Sequence, residues 1–172
     1  MTRFYFVVVV MIIAGAVNLK AQSNPVSDDA KHQYASIKNI LLRSAEKMPE
    51  AEYAFRTTPQ VRTYGEMIAH IADVQTMLCG AVKGDMKHGN AAGKTSKADL
   101  SAALKAPFDY CDPVYDSMTD AAGGQTLKVM GQSMSKLGML YFNVIHDNEM
   151  YGQMVAYMRI KGIVPPSSEG RP

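Results

Sequence analysis

Apolar residues recur at steps of three and four positions in four stretches of this chain, and no stretch beyond residue 21 shows the alternation typical of a β-strand. The four stretches run over residues 27–48, 63–84, 96–120 and 132–161. A helix with an apolar stripe must bury that stripe against another element. Four such helices in a chain of domain size predict an all-α fold, a four-helix bundle.

Capping residues mark where the first two helices begin and end. Ser27 is the predicted N-cap of the first helix, which Pro49 ends. Thr63 and Glu66 have the spacing of a capping box at the start of the second helix, and Gly84 follows its last turn. These signals predict the helix boundaries independently of the apolar pattern.

The third and fourth helices carry less regular signals. Pro107 and Pro113 fall inside the third helix, where each removes a backbone donor and predicts a kink or a break. Gly162 follows the fourth helix, and the tail over residues 165–172 is predicted to be loose. The fourth helix bears two apolar stripes, the second of which consists of Met139, Phe142, His146, Met150 and Tyr157. A helix that is apolar on both sides is buried on both, which favours a homodimer.

The first 21 residues have the layout of a secretory signal peptide. Arg3 precedes an apolar run over residues 4–17, and small residues follow up to a predicted cleavage site after Ala21. The run is shorter than the roughly 20 residues that span a bilayer, and an uncleaved N-terminal anchor is the alternative. We therefore predict an exported protein, periplasmic or secreted, with a signal peptide over residues 1–21 and one domain over residues 22–172. No stable membrane insertion is expected after cleavage.

The positive charge of the chain belongs to this N-terminal segment. The whole sequence has 18 Lys and Arg against 16 Asp and Glu. Residues 1–21 contain Arg3 and Lys20 and no acidic residue, so the remaining chain is formally neutral when its histidines are uncharged. A neutral chain does not favour a polyanionic partner, which argues against nucleic acid binding.

Two cysteines, Cys79 and Cys111, remain after the predicted cleavage. Export permits one disulfide between them. Two buried thiols are an equally good interpretation, because free cysteine packs as a small apolar side chain and the sequence does not show whether the two Cα atoms approach each other.

Two of the four histidines lie where a bundle core forms. His32 points away from the apolar face of the first helix and His88 lies in a glycine-rich loop, so both are predicted to be exposed. His70 and His146 lie on apolar stripes of the second and fourth helices. A single core histidine is most simply hydrogen-bonded to a neighbour, but two on different helices of one bundle favour a metal site.

A metal bound by these histidines needs further ligands. Glu149 follows His146 by three residues, so the predicted metal site consists of His70, His146 and Glu149. Asp73 is predicted either to bind the metal or to orient His70, although both carboxylates are otherwise ordinary surface groups. Met150 suits copper better than zinc, which leaves a copper-handling protein as a further interpretation. No nucleophile motif and no phosphate-binding loop occurs in the sequence.

Two stretches resemble the DinB/YfiT-like family. "TPQVRTYGEMIAHIADVQTMLCGAVKG", residues 58–84, is similar to the second helix of that family, and "NVIHDNEMYGQMVAYMRIKGIVPPSS", residues 143–168, to its last helix. The resemblance implies a four-helix bundle with an unusual helix order, often dimeric, that binds zinc or nickel through three histidines. His70 and His146 match two of these histidines. Met150 stands where the resemblance implies the third.

The function expected from this combination is that of an exported DinB-like protein with a partly degenerate divalent-metal site, acting as a metal-dependent hydrolase or transferase on a small molecule. Glu149 or Asp73 is then the candidate general base for a metal-activated water. The family also implies thiol-dependent transferases, but a cytosolic thiol cosubstrate does not suit an exported protein. The alternative is a non-catalytic bundle, structural or binding a small ligand, that has lost the metal. The catalytic residues, if any, are not predicted.

Overall fold

The computed structural model describes residues 23–129 and 131–170, so the predicted signal peptide lies outside the described residues. Four long helices make up most of this region: α1 (Pro25–Lys47), α2 (Tyr64–Lys83), α3 (Lys97–Asp116) and α5 (Lys136–Ile160). A single-turn helix, α4 (Asp120–Gly123), precedes a short hairpin of β1 (Thr126–Val129) and β2 (Gln132–Ser135). The predicted all-α bundle is confirmed. Within the described residues, no helix has both the length and the hydropathy needed to cross a bilayer.

The four long helices do not pack in chain order. The principal interfaces are those of α1 with α3 and α5, and of α2 with α3 and α5. The order around the bundle is therefore α1, α3, α2, α5, with α1 and α2 at opposite corners. This order makes α2 a neighbour of α5, which is the contact that matters for the predicted site.

The start of α1 differs from the prediction because a distant carboxylate replaces the local cap. The helix begins at Pro25, where the fixed φ of proline suits the first turn and its missing N–H costs nothing. Ser27 therefore lies inside the helix and is not the N-cap. The backbone N–H of Ser27 donates instead to the carboxylate of Asp120 in α4, over 2.8 Å.

The second and third helices follow their predicted caps. Thr63 and Glu66 form the capping box, and Ser96 accepts a hydrogen bond from the N–H of Asp99 at the start of α3. Of the kink or break expected at Pro107 and Pro113, the break does not occur, because α3 continues through both residues to Asp116. Residues 117–119 lie outside any helix, and Asp120, the last residue predicted for this helix, begins the separate element α4.

The hairpin corrects the prediction that no strand is present. β1 and β2 pair antiparallel, with Thr126 opposite Ser135 and Val129 opposite Gln132. Strands of four residues are too short for a periodic pattern to reveal. The helix predicted from residue 132 consequently begins at Lys136, where the Ser135 hydroxyl accepts the N–H of Gly138 over 3.0 Å.

A disulfide between Cys79 and Cys111 joins α2 to α3, with the two Cα atoms 5.6 Å apart. Of the two states that the sequence left open, the structure has the disulfide. It lies beside the apolar core, where both cysteines are fully buried. The same core contains large side chains from every long helix, among them Leu41, Tyr64, Ile71, Phe108, Tyr115 and Met154.

The tail after α5 is packed rather than loose over residues 165–170, which corrects the prediction. The Glu169 carboxylate pairs with Arg43 and Lys47 of α1. The Tyr151 hydroxyl on α5 donates to the hydroxyl of Ser167 over 2.7 Å. Polar contacts from two different helices therefore hold the tail against the end of the bundle.

Candidate functional site

The two core histidines meet at the contact between α2 and α5. The Nε2 atoms of His70 and His146 lie 3.2 Å apart, and their ring planes are inclined by 67°. Both rings are half-buried. His32 and His88 are exposed, as predicted. The non-sequential helix order therefore brings together the two histidines that the apolar pattern selected.

A separation of 3.2 Å suits two arrangements of the histidine pair. If one Nε2 carries a proton and the other a lone pair, the distance is that of a long hydrogen bond. If both carry lone pairs, they can bind one metal, because two nitrogens about 2.05 Å from a tetrahedral zinc are about 3.3 Å apart. The distance between the two Nε2 atoms is therefore compatible with two ligands of one metal.

The third predicted ligand, Glu149, does not join the two histidines in the structure. Glu149 is exposed, and Met150 is 5% exposed and belongs to the apolar core. In the parts of the chain that the structure describes, no three His, Cys, Asp or Glu side chains converge on a point where they could bind a metal. Of the three predicted ligands, the structure thus brings together only His70 and His146.

Asp73 holds the loop that follows α2. Its Oδ1 accepts the N–H of Ala91 over 2.8 Å, and its Oδ2 accepts the N–H of Ala92 over 3.2 Å. Gly89 passes so close that a Cβ at this position would overlap the Asp73 side chain. Asp73 therefore anchors the loop that follows α2, and its carboxylate oxygens are occupied by that loop.

Asp147 is the residue that the sequence reasoning missed. Its side chain is 0% exposed, and neither carboxylate oxygen has a hydrogen-bond partner. Its Oδ1 lies 3.7 Å from Nδ1 of His146, an atom that is also buried and unpaired. Burial raises the pKa of Asp147 to about 6, although its approach to His146 opposes that rise.

A sequence signal for Asp147 existed. The inward positions of α5 follow the alternating three- and four-residue spacing of a bundle helix: Leu140, Asn143, Asp147, Met150, Met154 and Met158. Asn143 and Asp147 are the two polar residues in this series, and each is 0% exposed. Polar side chains at inward positions of an otherwise apolar series are costly unless paired, which is why such a position indicates a specific role.

Further polar groups lie in the bundle interior. The Asn143 amide donates to the hydroxyl of Tyr115 over 3.1 Å, and that hydroxyl donates to the carbonyl of Leu140 over 2.9 Å. Gln75 on α2 is fully buried, and neither of its side-chain polar atoms has a partner. The core beside His146 is therefore less uniformly apolar than the helix stripes predicted.

The environment of His70 favours its neutral form. Burial lowers the pKa of His70, and the positive charge of Arg62 and the neighbouring His146 lower it further, against the smaller effects of Asp73 and Glu149. A neutral imidazole is the form that binds a metal. His70 is thus in its metal-binding protonation state at neutral pH.

His70 also lines a cleft of 840 Å³, which we call the histidine cleft. The cleft lies between the segment before α2, the first half of α2, the loop over residues 92–95 and one side chain of α5. Its polar lining consists mainly of Arg62, Glu66, His70, Asp73, Lys94 and Gln153. A molecule in the cleft would contact His70, whereas His146 is not part of the lining.

Comparison with known proteins gives one family and one fold. A family model described as the DinB superfamily matches residues 33–154. The chain is similar to a DinB-like protein from Bacillus cereus ATCC 10987, with 17% sequence identity and a TM-score of 0.69 over 81% of this chain and 95% of that one. It is also similar to the DinB-like protein YjoA from Bacillus subtilis, with 18% identity and a TM-score of 0.64 over 78% and 92% of the two chains. No curated protein matches the chain.

Proposed function

This chain belongs to the DinB superfamily, and on that premise we propose that it is an exported bundle protein that binds a divalent metal through His70 and His146 and a small molecule in the histidine cleft. The observation that carries the proposal is the 3.2 Å separation of the two Nε2 atoms, which suits two ligands of one zinc or nickel ion. The size and polar lining of the histidine cleft support the small-molecule part.

Two protein ligands leave the remaining positions of the metal to water, to the small molecule or to a further side chain. Glu149 is the further ligand that we propose, since it is exposed and one turn beyond His146, and it would reach the metal only through a change of side-chain conformation. A bound metal would act as a Lewis acid on the small molecule or on water, the chemistry of a hydrolase or a transferase.

The test is metal content. The protein is expressed from the full-length sequence, purified without added chelator, supplied with excess zinc or nickel and assayed by mass spectrometry. We expect close to one metal per chain, and loss of that metal in His70→Ala with His146→Ala. Wild-type protein that stays empty under these conditions would contradict the proposal.

Substitution at Met150 shows whether the site is a weakened version of a three-histidine site. Met150→His restores the third histidine that the family resemblance implies, so metal affinity should rise. Met154→His is the matched control, because it also places a histidine at a buried methionine of α5, one turn further on. An equal rise in both variants would mean that any core histidine has the same effect.

The alternative function is a non-catalytic bundle that binds a small ligand or is purely structural. The burial of Met150 and the occupied carboxylate of Asp73 favour it, because they remove two groups that a metal would otherwise use. The histidine pair would then be a hydrogen bond. In that case His146→Ala should change the free energy of unfolding. Wild type and variant should both bind no more zinc than an unrelated protein does.

Export rests on residues 1–21, and the Cys79–Cys111 disulfide supports it because such bonds persist in oxidising compartments. The mass of the protein recovered from the exported fraction tests this part. A chain that starts at Gln22 is expected, whereas an intact Met1 would favour the uncleaved anchor.

A homodimer is proposed from the outward face of α5. Phe142 is 47% exposed and Ile145 is 61% exposed, one turn apart on this face, while Met139, Met150 and Tyr157 of the predicted second stripe are buried within the chain. Sedimentation equilibrium of wild type and Phe142→Glu tests it: a dimer that the charge dissociates is expected, and a wild-type monomer would exclude it.

A further inference from the structure

Two buried polar groups without partners face each other on α5. Nδ1 of His146 and both carboxylate oxygens of Asp147 are inaccessible to solvent and form no hydrogen bond. Nδ1 of His146 lies 3.7 Å from Oδ1 of Asp147. This distance is longer than the usual value of about 2.8 Å for a hydrogen bond between nitrogen and a carboxylate, so the contact is one of charge and dipole in this conformation.

The two tyrosine hydroxyls whose charge interacts with that of Asp147 already donate to other acceptors. The hydroxyl of Tyr115 donates to the carbonyl of Leu140, and the hydroxyl of Tyr34 donates toward Asp112 and the carbonyl of Phe108. The Gln75 amide forms no hydrogen bond to Asp147. A buried carboxylate without any donor is costly, by several kcal/mol in general, and Nδ1 of His146, 3.7 Å from Oδ1, is a group that can relieve that cost.

The proton position on His146 follows from this contact. A neutral imidazole has one N–H and one lone pair, on opposite nitrogens. A lone pair on Nδ1 would face the negative carboxylate, which is repulsive, whereas an N–H on Nδ1 is attracted to it. The lone pair then belongs to Nε2, which is the atom directed at His70.

We propose that Asp147 is a positioning residue that keeps the His146 proton on Nδ1 and so leaves the Nε2 lone pair available at the histidine pair. Asp147, His146 and His70 then form one chain of contacts from the buried core to the histidine cleft. Without a metal, the Nε2–H of His70 donates to Nε2 of His146 over the observed 3.2 Å. The assignment of the proton to Nδ1 does not depend on a metal, but its benefit for metal binding rests on the proposed function.

The test is the nitrogen NMR spectrum of histidine-labelled, metal-free protein, expressed from the full-length sequence, at a pH where His146 is neutral. In wild type, Nδ1 of His146 should carry the proton and Nε2 should be unprotonated. Asp147→Asn keeps the size of the side chain and removes its charge, so the proton should move partly to Nε2. Asn143→Leu is the matched control, since it removes another buried polar side chain from α5 without touching Nδ1.

The proposal is overturned if wild-type His146 carries its proton on Nε2. This measurement uses wild-type protein alone, so it does not depend on whether a variant folds. It is also overturned if Asp147→Asn leaves the proton on Nδ1 unchanged. Zinc titration adds a second readout: Asp147→Asn should bind zinc about 10- to 100-fold more weakly, as is usual when the partner of a ligating histidine is lost. If Asn143→Leu lowered zinc affinity by the same factor, Asp147 would have only a structural role.

The two proposals fail in different ways. If wild type binds no zinc while its His146 proton is on Nδ1 and moves in Asp147→Asn, the metal proposal fails and the positioning of His146 by Asp147 stands. If zinc binds through both histidines while the proton does not respond to Asp147, the metal proposal stands and this one fails.

Discussion

The Nε2 atoms of His70 and His146 lie 3.2 Å apart, although 76 positions separate these residues in the chain. The contact exists because α2 and α5 are neighbours in the bundle while α1 and α2 are not. In the proposed metal site the two imidazoles would act together, because each supplies one ligand to the same ion.

The first prediction concerns the shared action of the pair. His70→Ala should lower zinc affinity by at least about tenfold, and His146→Ala by a similar factor. The double variant should be little worse than either single variant, because the remaining imidazole no longer forms a chelate. Isothermal titration with zinc measures all three. His88→Ala, in the exposed loop, should bind zinc like wild type, and independent, additive losses at the two histidines would contradict the prediction.

The second prediction concerns the disulfide. Cys79→Ser combined with Cys111→Ser should lower the free energy of unfolding by about 3–4 kcal/mol, the loop-closure value for a cross-link across 32 positions. Urea denaturation measures it. Wild type treated with a reductant should fall to the stability of the double variant, which itself should not respond to the reductant. If the stability of wild type did not change after the unfolded protein had been treated with reductant, the bond would be absent.

The third prediction concerns the loop that Asp73 anchors. Gly89→Ala should destabilise the protein by about 1–3 kcal/mol, because the added methyl group overlaps the Asp73 side chain and displaces the carboxylate from Ala91 and Ala92. Gly152→Ala is the control on α5, where a Cβ meets open space. That substitution should stabilise the protein by about 0.5–1 kcal/mol through helix propensity. Thermal unfolding measures both changes, and equal behaviour of the two variants would refute the steric argument.

The fourth prediction concerns alkaline pH. Burial raises the pKa values of Tyr34, Tyr64 and Tyr115, with the Asp112 carboxylate adding to the rise at Tyr34. In the unfolded chain these phenols ionise near pH 10, while in the folded protein they stay neutral. The unfolded state therefore binds fewer protons above about pH 10, and stability falls as pH rises, by up to about 1.4 kcal/mol per pH unit and tyrosine.

Urea midpoints from about pH 8 to pH 11, together with phenolate absorbance, test this dependence. Tyr115→Phe should weaken the pH dependence, although it also loses the hydroxyl contacts with Leu140 and Asn143 and so lowers stability at neutral pH. Phenolate absorbance that appears in the folded protein near pH 10, at the same pH as in the unfolded chain, would contradict the burial argument.

The fifth prediction concerns the tail. Glu169→Gln should release the segment after α5 from Arg43 and Lys47, so that limited proteolysis cuts there sooner. The free energy of unfolding should change by less than about 1 kcal/mol, because these ion pairs are partly exposed. Glu50→Gln changes an exposed acid that forms no ion pair with the described residues, and it should leave the rate of cleavage unchanged. A wild-type tail that is already cut rapidly would indicate that the ion pairs do not hold it.

Local chemistry explains why much of the helical structure was predictable. The capping box of Thr63 and Glu66 satisfies backbone donors within four residues, so the start of α2 depends on nothing distant. The start of α1 was mispredicted because its donor is satisfied by Asp120, more than ninety positions away. The hairpin was missed because strands of four residues have no resolvable period, and the packed tail because its partners lie on other helices.

By itself, the sequence determined the helices and the two histidines on their apolar stripes, since periodicity and capping are properties of neighbouring residues. Tertiary structure decided what those histidines meet. The helix order brought His70 to His146, the loop after α2 occupied the carboxylate of Asp73, and the rotation of α5 turned Asp147 inward and left Glu149 exposed. These outcomes depend on how whole helices pack, because a half-turn of one helix exchanges its buried and exposed side chains without changing any local preference.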